Sequence, residues 1–428
     1  MFDLVLNLAS ATPNLHFSFF NTTKCNKSLL SKKNLHIPPN ILFYNLDDGS
    51  GSEGSGLFQE MHSLAKAVPE NFKRGIDATE TQTGRKITCF LTDAMFCYHI
   101  SSMAEERKVS WIALWVPAPY ALPAFLNLDY IQHLYQTSDQ PENLILEIIP
   151  GLSPINYLDL PVREFIERPP SASVSPTNTL FVSMIRNIHR ASYIIMNSFQ
   201  ELNPDTLTEH VKSKFQNVFF LGNLSEVPLS SNDDTTGCLS WLDRQKAESV
   251  VYISTGTAIG WPPEQCSALS EALDAFDVPF LWTLKDELKN RLPSGFLDRA
   301  KGKVVPWAPQ SQVLKHPSIG VYVTHCGYNS VLESVAGRVP MICSSVWTDN
   351  HMTAKMIEEV WEIGVRIEGR KITKEGMIKC LETIFKDGKG KKIRENVKNL
   401  KQVLLKAAGP DGVAAQDFEN LVHKISEE

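Results

Sequence analysis

The stretch "THCGYNSVLESVAGRVP", from Thr324 to Pro340, links an apolar segment to a helical one through a short polar turn. The residues before it, "GVYV" at 320–323, have the pattern of a buried strand, so His325 would stand at the carboxyl end of that strand. Gly327 would form the turn, and a helix would begin close to Ser330. A buried strand that runs through a glycine turn into a helix is typical of α/β proteins with parallel sheets.

The same alternation of apolar strands and helical segments runs through the whole chain of 428 residues, which is long enough for two domains. A polar segment rich in Ser, Asn and Asp has neither a strand nor a helix period. We therefore predict an N-terminal domain at 1–222, a linker at 223–237 and a C-terminal domain at 238–428, with a ligand cleft between the domains. The strands are expected at 15–20, 87–93, 109–116, 193–197, 217–222, 250–254, 279–284, 303–307, 320–326 and 340–344.

Composition argues against several classes of partner. With 43% hydrophobic and 21% charged residues and a net charge of −6, the chain has the balance of a globular protein and no electrostatic reason to bind nucleic acid or an anionic membrane. No apolar run reaches the roughly 18 residues that a membrane helix needs. The N-terminal "MFDLVLNLASATPN" has Asp3 where a signal peptide has basic residues, and the eight cysteines have neither zinc nor disulfide spacing. We expect a small-molecule ligand, no metal and a cytoplasmic location.

The polar turn has the chemistry of an anion site. Ligands of open α/β sheets bind at the carboxyl ends of the strands, where helix N-termini present N–H groups. Backbone N–H groups near Gly327, with the side chains of His325, Asn329 and Ser330, could hold a phosphate or a diphosphate. The turn alone leaves a second interpretation open, in which His325 bonds the backbone and Ser330 caps the helix.

The segments on either side of the turn favour a ligand. Trp307, in "VPWAPQ", would end a strand and offer a flat face to a base, and Gln310 would lie one turn into the next helix. Glu333, in the helix after the polar turn, suits the diol of a ribose. Asp349 and Asn350 follow another strand, and a carboxylate beside an amide suits sugar hydroxyls. A base, a ribose, a diphosphate and a sugar would each have a partner.

From Trp307 to Asn350 the sequence resembles the C-terminal signature of the plant UDP-dependent glycosyltransferases of secondary metabolism, through "WAPQ", "HCGYNSVLES" and "TDN". The resemblance covers nearly the whole chain, including "PENFKRGI", "CFLTDAMF", "VVYISTGT", "LPSGFLDR" and "EEVWEIGVRIEG", and is closest to the flavonoid 3-O-glycosyltransferase branch. It implies the α/β fold named GT-B, in which two Rossmann-like domains face each other across a cleft.

The resemblance also implies a reaction and its site. A hexose, glucose or galactose, would move with inversion from a UDP-sugar to a hydroxyl of a flavonoid or related phenol, without a metal or a cofactor. We also expect a monomer, an expectation that the sequence itself does not fix. The positions that match the family's donor site are Trp307 and Ala308 at the uracil, Gln310 and Glu333 at the ribose, His325, Asn329, Ser330 and Thr257 at the diphosphate, and Asp349 and Asn350 at the hexose.

Several positions depart from the family pattern. Tyr328 stands where the signature usually has a second tryptophan, and Asn350 stands where members that use glucose commonly have glutamine. Val116 follows Trp115 where the family has a threonine near the sugar, and its side chain cannot donate to a hydroxyl. These departures leave the choice between glucose and galactose open.

Asp93, in "LTDAMF" at the end of a predicted strand, matches the family's aspartate that orients a catalytic histidine. That histidine belongs to the loop after the family's first strand, and the sequence from Met1 begins directly in a predicted helix, so the strand and the histidine are expected to be missing. His16 and His99 are expected to be structural. Because a general base contributes about 10²- to 10⁴-fold to a rate, we expect the chain as written to transfer sugar poorly.

Two function classes remain open at this point. The first is a UDP-sugar-dependent O-glycosyltransferase, and the second is a non-catalytic relative that binds a UDP-sugar or a phenol. A UDP-sugar epimerase of similar architecture is a weaker third, because Asp93 and the long signature fit group transfer better. The acceptor would contact first-half loops such as "APYALPAFLNLDY", whose sequence does not identify it.

Overall fold

The computed structural model of the chain describes residues 1–31, 35–47, 57–152, 154–166, 176–222, 234–256, 260–299 and 301–428. Most of the predicted linker, 223–233, and the predicted donor-site residue Thr257 lie outside these ranges. The strands are β1 (Phe17–Thr22), β2 (Ile41–Leu46), β3 (Cys89–Asp93), β4 (Ser110–Trp115), β5 (Ile145–Leu146), β6 (Ile155–Asn156), β7 (Tyr193–Met196), β8 (Val218–Phe220), β9 (Val250–Ser254), β10 (Phe280–Thr283), β11 (Gly302–Val305), β12 (Ile319–Thr324), β13 (Met341–Cys343) and β14 (Gly364–Arg366).

Helices separate these strands along the chain. They are α1 (Phe2–Ala11), α2 (Thr23–Leu30), α3 (Leu57–Thr83), α4 (Cys97–Arg107), α5 (Ala121–Leu126), α6 (Leu128–Thr137), α7 (Arg163–Ile166), α8 (Pro176–Asn187), α9 (Asp205–Lys214), α10 (Cys238–Leu242), α11 (Pro263–Phe276), α12 (Phe296–Arg299), α13 (Gln310–Lys315), α14 (Tyr328–Gly337), α15 (Asp349–Lys355), α16 (Lys374–Phe385), α17 (Gly388–Ala407) and α18 (Val413–Glu427).

The C-terminal half is built on a six-stranded parallel sheet with the order β11-β10-β9-β12-β13-β14. Its central strands, "VVYIS" in β9 and "IGVYVT" in β12, are buried at every position, as strands covered by helices on both faces must be. β10 and β11 follow β9 on one side of the sheet, and β13 and β14 follow β12 on the other side. The sheet order therefore reverses between β9 and β12, and ligands of such sheets bind in the crevice outside the carboxyl ends of the strands at this point.

The N-terminal half contains two parallel sheets. One has the order β3-β4-β7-β8 and the other pairs β1 with β2, and no described strand pairs with the second edge of β1 or of β3. Helix α1 covers both sheets, because Leu4 and Leu8 pack into the core of the four-stranded sheet while Phe2 and Val5 pack against the two-stranded one. A short antiparallel pair, β5 with β6, lies outside both sheets.

The structure corrects several predicted boundaries. β11 ends at Val305, so Trp307 lies in the loop after the strand rather than at its end; the intervening Pro306 has no N–H for a ladder. α13 begins at Gln310, which is therefore its first residue and does not lie one turn inside it. Strands β2, β5, β6 and β14 were not predicted from the sequence, because they are either short or interrupted by polar residues.

One of the buried apolar clusters spans both halves. This cluster reaches from Trp115 in the N-terminal sheet to Tyr328 at the start of α14. The indole N–H of Trp361 donates to the carbonyl oxygen of Leu202 at 3.1 Å, from the C-terminal half to the N-terminal half. The carboxyl ends of the strands of both halves are thus held close to each other.

Helix α18 returns to the N-terminal half. It packs on β8, where the carboxylate of Asp417 accepts the backbone N–H of Phe220 at 2.7 Å. The C-terminal domain predicted at 238–428 includes this helix, although the helix packs on the N-terminal half. The limits at 222 and 238 stay a prediction.

Candidate active site

The polar turn lies where the order of the C-terminal sheet reverses. β12 ends at Thr324 and α14 begins at Tyr328, with residues 325–327 between them. Cys326 has a φ of 70°, a left-handed conformation that residues with a side chain rarely adopt and that is common at functional sites. The first turn of α14 presents its N–H groups at this crevice, which favours an anion there.

The imidazole of His325 is neutral near pH 7. Burial lowers its pKa to about 4, against the smaller opposite effect of a backbone hydrogen bond at Ser254. Its Nδ1 is buried and has no hydrogen-bond partner among the described residues. Because buried polar atoms are nearly always paired, this position suits a ligand atom.

Two glycines enclose the His325 ring. A Cβ atom at Gly256 would lie 2.8 Å from Cε1 of the ring, and one at Gly327 would lie 2.4 Å from Nε2. Gly256 also has a φ of +71°, which disfavours any other residue. Glycine is therefore required at both positions if the imidazole is to keep its place.

A carboxylate and its partners lie beside the turn. The Oε2 atom of Glu333, in α14, accepts the side-chain amide of Gln310 at 2.6 Å, and its Oε1 atom accepts the hydroxyl of Ser311 at 2.8 Å. Both partners belong to α13, which packs against α14. The sequence analysis placed Gln310 and Glu333 on a ribose, and the structure brings the two side chains into direct contact.

The Gln310 amide is fully engaged inside the protein. Its oxygen accepts the hydroxyls of Tyr252 and Tyr322, each at 3.1 Å, and the two rings stack with centroids 5.0 Å apart. Its nitrogen donates to Ser330 at 2.9 Å as well as to Glu333. All four of its hydrogen-bonding positions are thus used, so Gln310 fixes the orientation of Glu333.

Trp307 and Ala308 differ in exposure. The Trp307 side chain is 47% exposed, whereas Ala308 is 5% exposed. An indole with an open face offers a large apolar surface on which a planar base can stack. The predicted role of both residues at a uracil stays a prediction.

Asp349 and Asn350 form the start of α15. A carboxylate oxygen of Asp349 accepts the backbone N–H of Ala118 at 3.2 Å, across the cleft, and the other accepts the hydroxyl of Thr348 at 3.1 Å. Burial raises the pKa of Asp349, and these two hydrogen bonds oppose the rise. Thr348 has a φ of 44°, so the backbone is strained at this site too.

The next residue of α15, His351, is also buried and neutral. Burial, together with the charges of Arg163 and Arg370, lowers its pKa to about 4. Its Nδ1 lies 2.8 Å from the hydroxyl of Ser345. This hydrogen bond supports the start of α15 from the end of β13.

Asp93 ends β3 in the N-terminal half. Its Oδ1 accepts the backbone N–H of Met95 at 3.0 Å. Burial raises the pKa of its carboxyl group, while that hydrogen bond and the amino group of Met1 oppose the rise. No histidine among the described residues is hydrogen-bonded to Asp93, since His16 is exposed before β1 and His99 lies against Tyr98 in α4.

The structure connects more residues than the sequence predicted. Gln310, Ser330 and Glu333 form one hydrogen-bonded network, and Asp349 is tied to the N-terminal half. The sequence did not predict the backbone of Ala118 or the side chains of Tyr252, Tyr322, Asn197 and Ser198 as parts of the site. The two tyrosines carried a usable signal, because each places a hydroxyl in the apolar middle of a strand.

Residues 172–405 match the family described as UDP-glucoronosyl and UDP-glucosyl transferase. The flavonol 3-O-glucosyltransferase F3GT2 of Actinidia chinensis var. chinensis is 41% identical, over 99% of this chain and 93% of that protein. The chain belongs to this transferase family. Another relative in the family, the anthocyanidin 3-O-galactosyltransferase F3GT1 of the same organism, is 38% identical over 100% of this chain and 94% of its own.

Solved structures of the UDP-glucosyl transferase family have the same fold. The crystal structure of a UDP-glucose:anthocyanidin 3-O-glucosyltransferase in complex with UDP matches with a TM-score of 0.92 and 36% identity, covering 100% of this chain and 95% of that one. The UGT2 structure of Phytolacca americana, at 23% identity and a TM-score of 0.80, agrees in fold. The predicted GT-B fold and the predicted resemblance to the flavonoid branch of the family are confirmed.

In the part of the chain that the structure describes, no helix combines the length and the apolar character needed to cross a bilayer.

Proposed function

We propose that this transferase moves a hexose from a UDP-sugar to the 3-hydroxyl of a flavonol or an anthocyanidin. The observation that carries the proposal is the hydrogen bond between Asp349 and the backbone of Ala118, because it joins the expected hexose position to the half of the protein that would hold the acceptor. The names of the relatives support this acceptor class, and they include both glucosyl- and galactosyltransferases.

The proposed donor pose follows the crevice from end to end. The uracil stacks on Trp307, the ribose diol bonds the Glu333 carboxylate, and the diphosphate lies at the first turn of α14 beside neutral His325. An anion is favoured there by the helix N-terminus and by N–H donors, without a counter-charge from the histidine. The hexose then reaches Asp349 and Asn350, whose side chains bond its hydroxyls.

In the proposed reaction the acceptor oxygen attacks the anomeric carbon from the side opposite UDP. The carbon–oxygen bond to UDP breaks as the new glycosidic bond forms, so the configuration inverts. The resemblance implies that Asp93 orients a histidine base, but no histidine among the described residues is hydrogen-bonded to Asp93. In this chain the attacking oxygen therefore belongs to an acidic phenolic hydroxyl that has already given its proton to water, so transfer is slow. No metal or cofactor takes part.

A second candidate function is binding without transfer. It is favoured by one observation: Asp93 has no histidine partner among the described residues. In that case the donor crevice would hold UDP-sugar while the acceptor keeps its proton. The two candidates share every donor contact and differ only in whether a glycoside forms.

The experiment that tests the proposal combines binding and product analysis. The purified chain is titrated with UDP by calorimetry and is then incubated with UDP-glucose or UDP-galactose and the flavonol quercetin. Transfer predicts UDP binding together with a new glycoside by chromatography. UDP binding without a glycoside supports the second candidate, and no UDP binding rejects both.

The proposal also includes where and how the protein works. Its eight cysteines are all free thiols, which suits a reducing compartment such as the cytoplasm. We propose that the protein acts as a monomer. Size-exclusion chromatography with light scattering tests this assignment.

A further inference from the structure

The first turn of α14 is held from across the cleft. Asn197 and Ser198 directly follow β7 in the N-terminal half and are 3% and 0% exposed. The side-chain nitrogen of Asn197 donates to the side-chain oxygen of Asn329 at 2.6 Å. The hydroxyls of Ser198 and Tyr328 are hydrogen-bonded at 2.6 Å. Two consecutive residues of the N-terminal half are thus hydrogen-bonded to two consecutive residues of the C-terminal half, at the expected diphosphate position.

Asn197 and Ser198 are themselves fixed by the N-terminal half. The backbone N–H of Asn197 donates to the carbonyl oxygen of Trp115 at 3.1 Å, and the carbonyl oxygen of Ser198 accepts the N–H of Gly222 at 2.9 Å. A residue held in this way loses little conformational freedom when it bonds a partner. It can therefore orient that partner at a small entropic cost.

The hydrogen bond from Asn197 decides which end of the Asn329 amide is available. A side-chain amide has one accepting oxygen and one donating nitrogen. The oxygen of Asn329 is engaged by Asn197, whereas its nitrogen has no hydrogen-bond partner among the described residues. Since Asn329 is in the first turn of α14, this nitrogen is the donor that the site can offer to an anion.

We propose that Asn197 is a positioning residue for donor binding, which turns the N–H₂ group of Asn329 toward the diphosphate of the UDP-sugar. The inference rests on the proposed function, because it assumes a diphosphate at the first turn of α14. It adds that the donor site is complete only while the two halves are docked, since one half orients a donor group of the other. Ser198 supports the same turn through Tyr328.

The test is a double-mutant cycle read with two ligands. Affinities for UDP and for uridine, which lacks the diphosphate, are measured by calorimetry for the wild type, Asn197→Ala, Asn329→Ala and the double variant. A lost hydrogen bond to a charged group weakens binding about tenfold, so Asn197→Ala should weaken UDP by that factor and leave uridine unchanged. In the Asn329→Ala background the same substitution should have no further effect on UDP.

A merely structural role for Asn197 predicts a different result. Asn197→Ala would then weaken uridine as much as UDP, or its effect would add to that of Asn329→Ala, and either outcome overturns the inference. If Asn197→Ala does not fold, Asn197→Ser, whose hydroxyl is too short to span to Asn329, is used in the same cycle.

A matched control is Asn187→Ala. Asn187 is a partly buried asparagine of α8 whose nitrogen also donates to a carbonyl oxygen, that of Ser183, at 2.7 Å. We expect Asn187→Ala to leave the affinity for UDP unchanged. A loss of UDP affinity equal to that of Asn197→Ala would show a general effect of losing such a bond and would overturn the inference.

The same titrations separate this inference from the proposed function. If the wild type does not bind UDP, the proposed function is rejected. If the wild type binds UDP and Asn197→Ala binds it equally well, only this inference is rejected.

Discussion

The carboxylate of Asp349 accepts the backbone N–H of Ala118 across the cleft at 3.2 Å. The residue assigned to the hexose is thereby fixed by the opposite half of the protein. Replacing it removes the contact between the halves and, in the proposed donor pose, the contact with the sugar.

Asp349→Ala is expected to weaken UDP-glucose more than UDP. The difference should be about 1 to 3 kcal/mol, because a buried polar contact to the sugar is lost while the nucleotide contacts remain. Both affinities are measured by calorimetry, with Asp286→Ala as the control, since Asp286 is an exposed aspartate whose ion-pair partner among the described residues is Lys289. Equal losses for the two ligands would mean that Asp349 does not contact the hexose.

Asn350→Gln is expected to change the choice of sugar. The extra methylene lets the amide reach further toward the hexose hydroxyls. Val116, at the position where the family has a threonine near the sugar, offers no donor that could compensate. Use of UDP-glucose should rise relative to UDP-galactose when both donors compete in one reaction. An unchanged ratio of the two products would argue against a hexose contact at Asn350.

Gly256→Ala is expected to lower the affinity for UDP. Its Cβ would lie 2.8 Å from the His325 ring, which cannot keep its position, and alanine is also strained at a φ of +71°. Gly84→Ala is the matched control, because Gly84 also has a positive φ, +67°, while a Cβ there meets nothing within 4 Å. If both variants bind UDP like the wild type, His325 has no part in holding the diphosphate.

The free energy of unfolding is expected to fall as the pH is lowered from about 6.5 to about 4. His325 and His351 have pKa values of about 4 in the folded state, so the unfolded chain binds more protons in this window. His351→Gln should flatten the fall by up to about 3 kcal/mol, measured by chemical denaturation across the window. Asp93 and Asp349, whose pKa values are raised, stabilise the fold at low pH in both proteins, so they cancel in the difference. Parallel curves for the two proteins would show that His351 titrates normally.

Much of this fold could be predicted because buried parallel strands leave a strong apolar pattern. "VVYIS" and the apolar run ending at Thr324 gave both central strands of the C-terminal sheet, and the glycine turn after the second located the crevice. Strand β14 was missed, since Gly364–Arg366 is a short strand without a β-branched run.

The candidate site could be predicted only where its residues are close in sequence. The 324–350 segment and Trp307 are near one another along the chain, so their side chains were recognisable as a set. Asn197 and Ser198 were missed because their partners lie 132 and 130 residues away, and no local pattern encodes such a contact. The hydrogen bonds of Gln310 could not be predicted either, because two of them come from Tyr252 and Tyr322, whose rings stack although they belong to different strands.

The most direct test of the account is the formation of a flavonol glycoside and its dependence on Asp93. The wild type and Asp93→Asn are incubated with UDP-glucose and quercetin, product is followed by chromatography, and UDP affinity is measured for both. Transfer through a hydroxyl already ionised in solution predicts a glycoside from the wild type at a low rate, little change of that rate in Asp93→Asn, because no described histidine is there for Asp93 to orient, and equal UDP affinities. A wild type that binds UDP but forms no glycoside, or a fall of roughly 10²-fold or more in Asp93→Asn, as for an impaired general base, would contradict this mechanism.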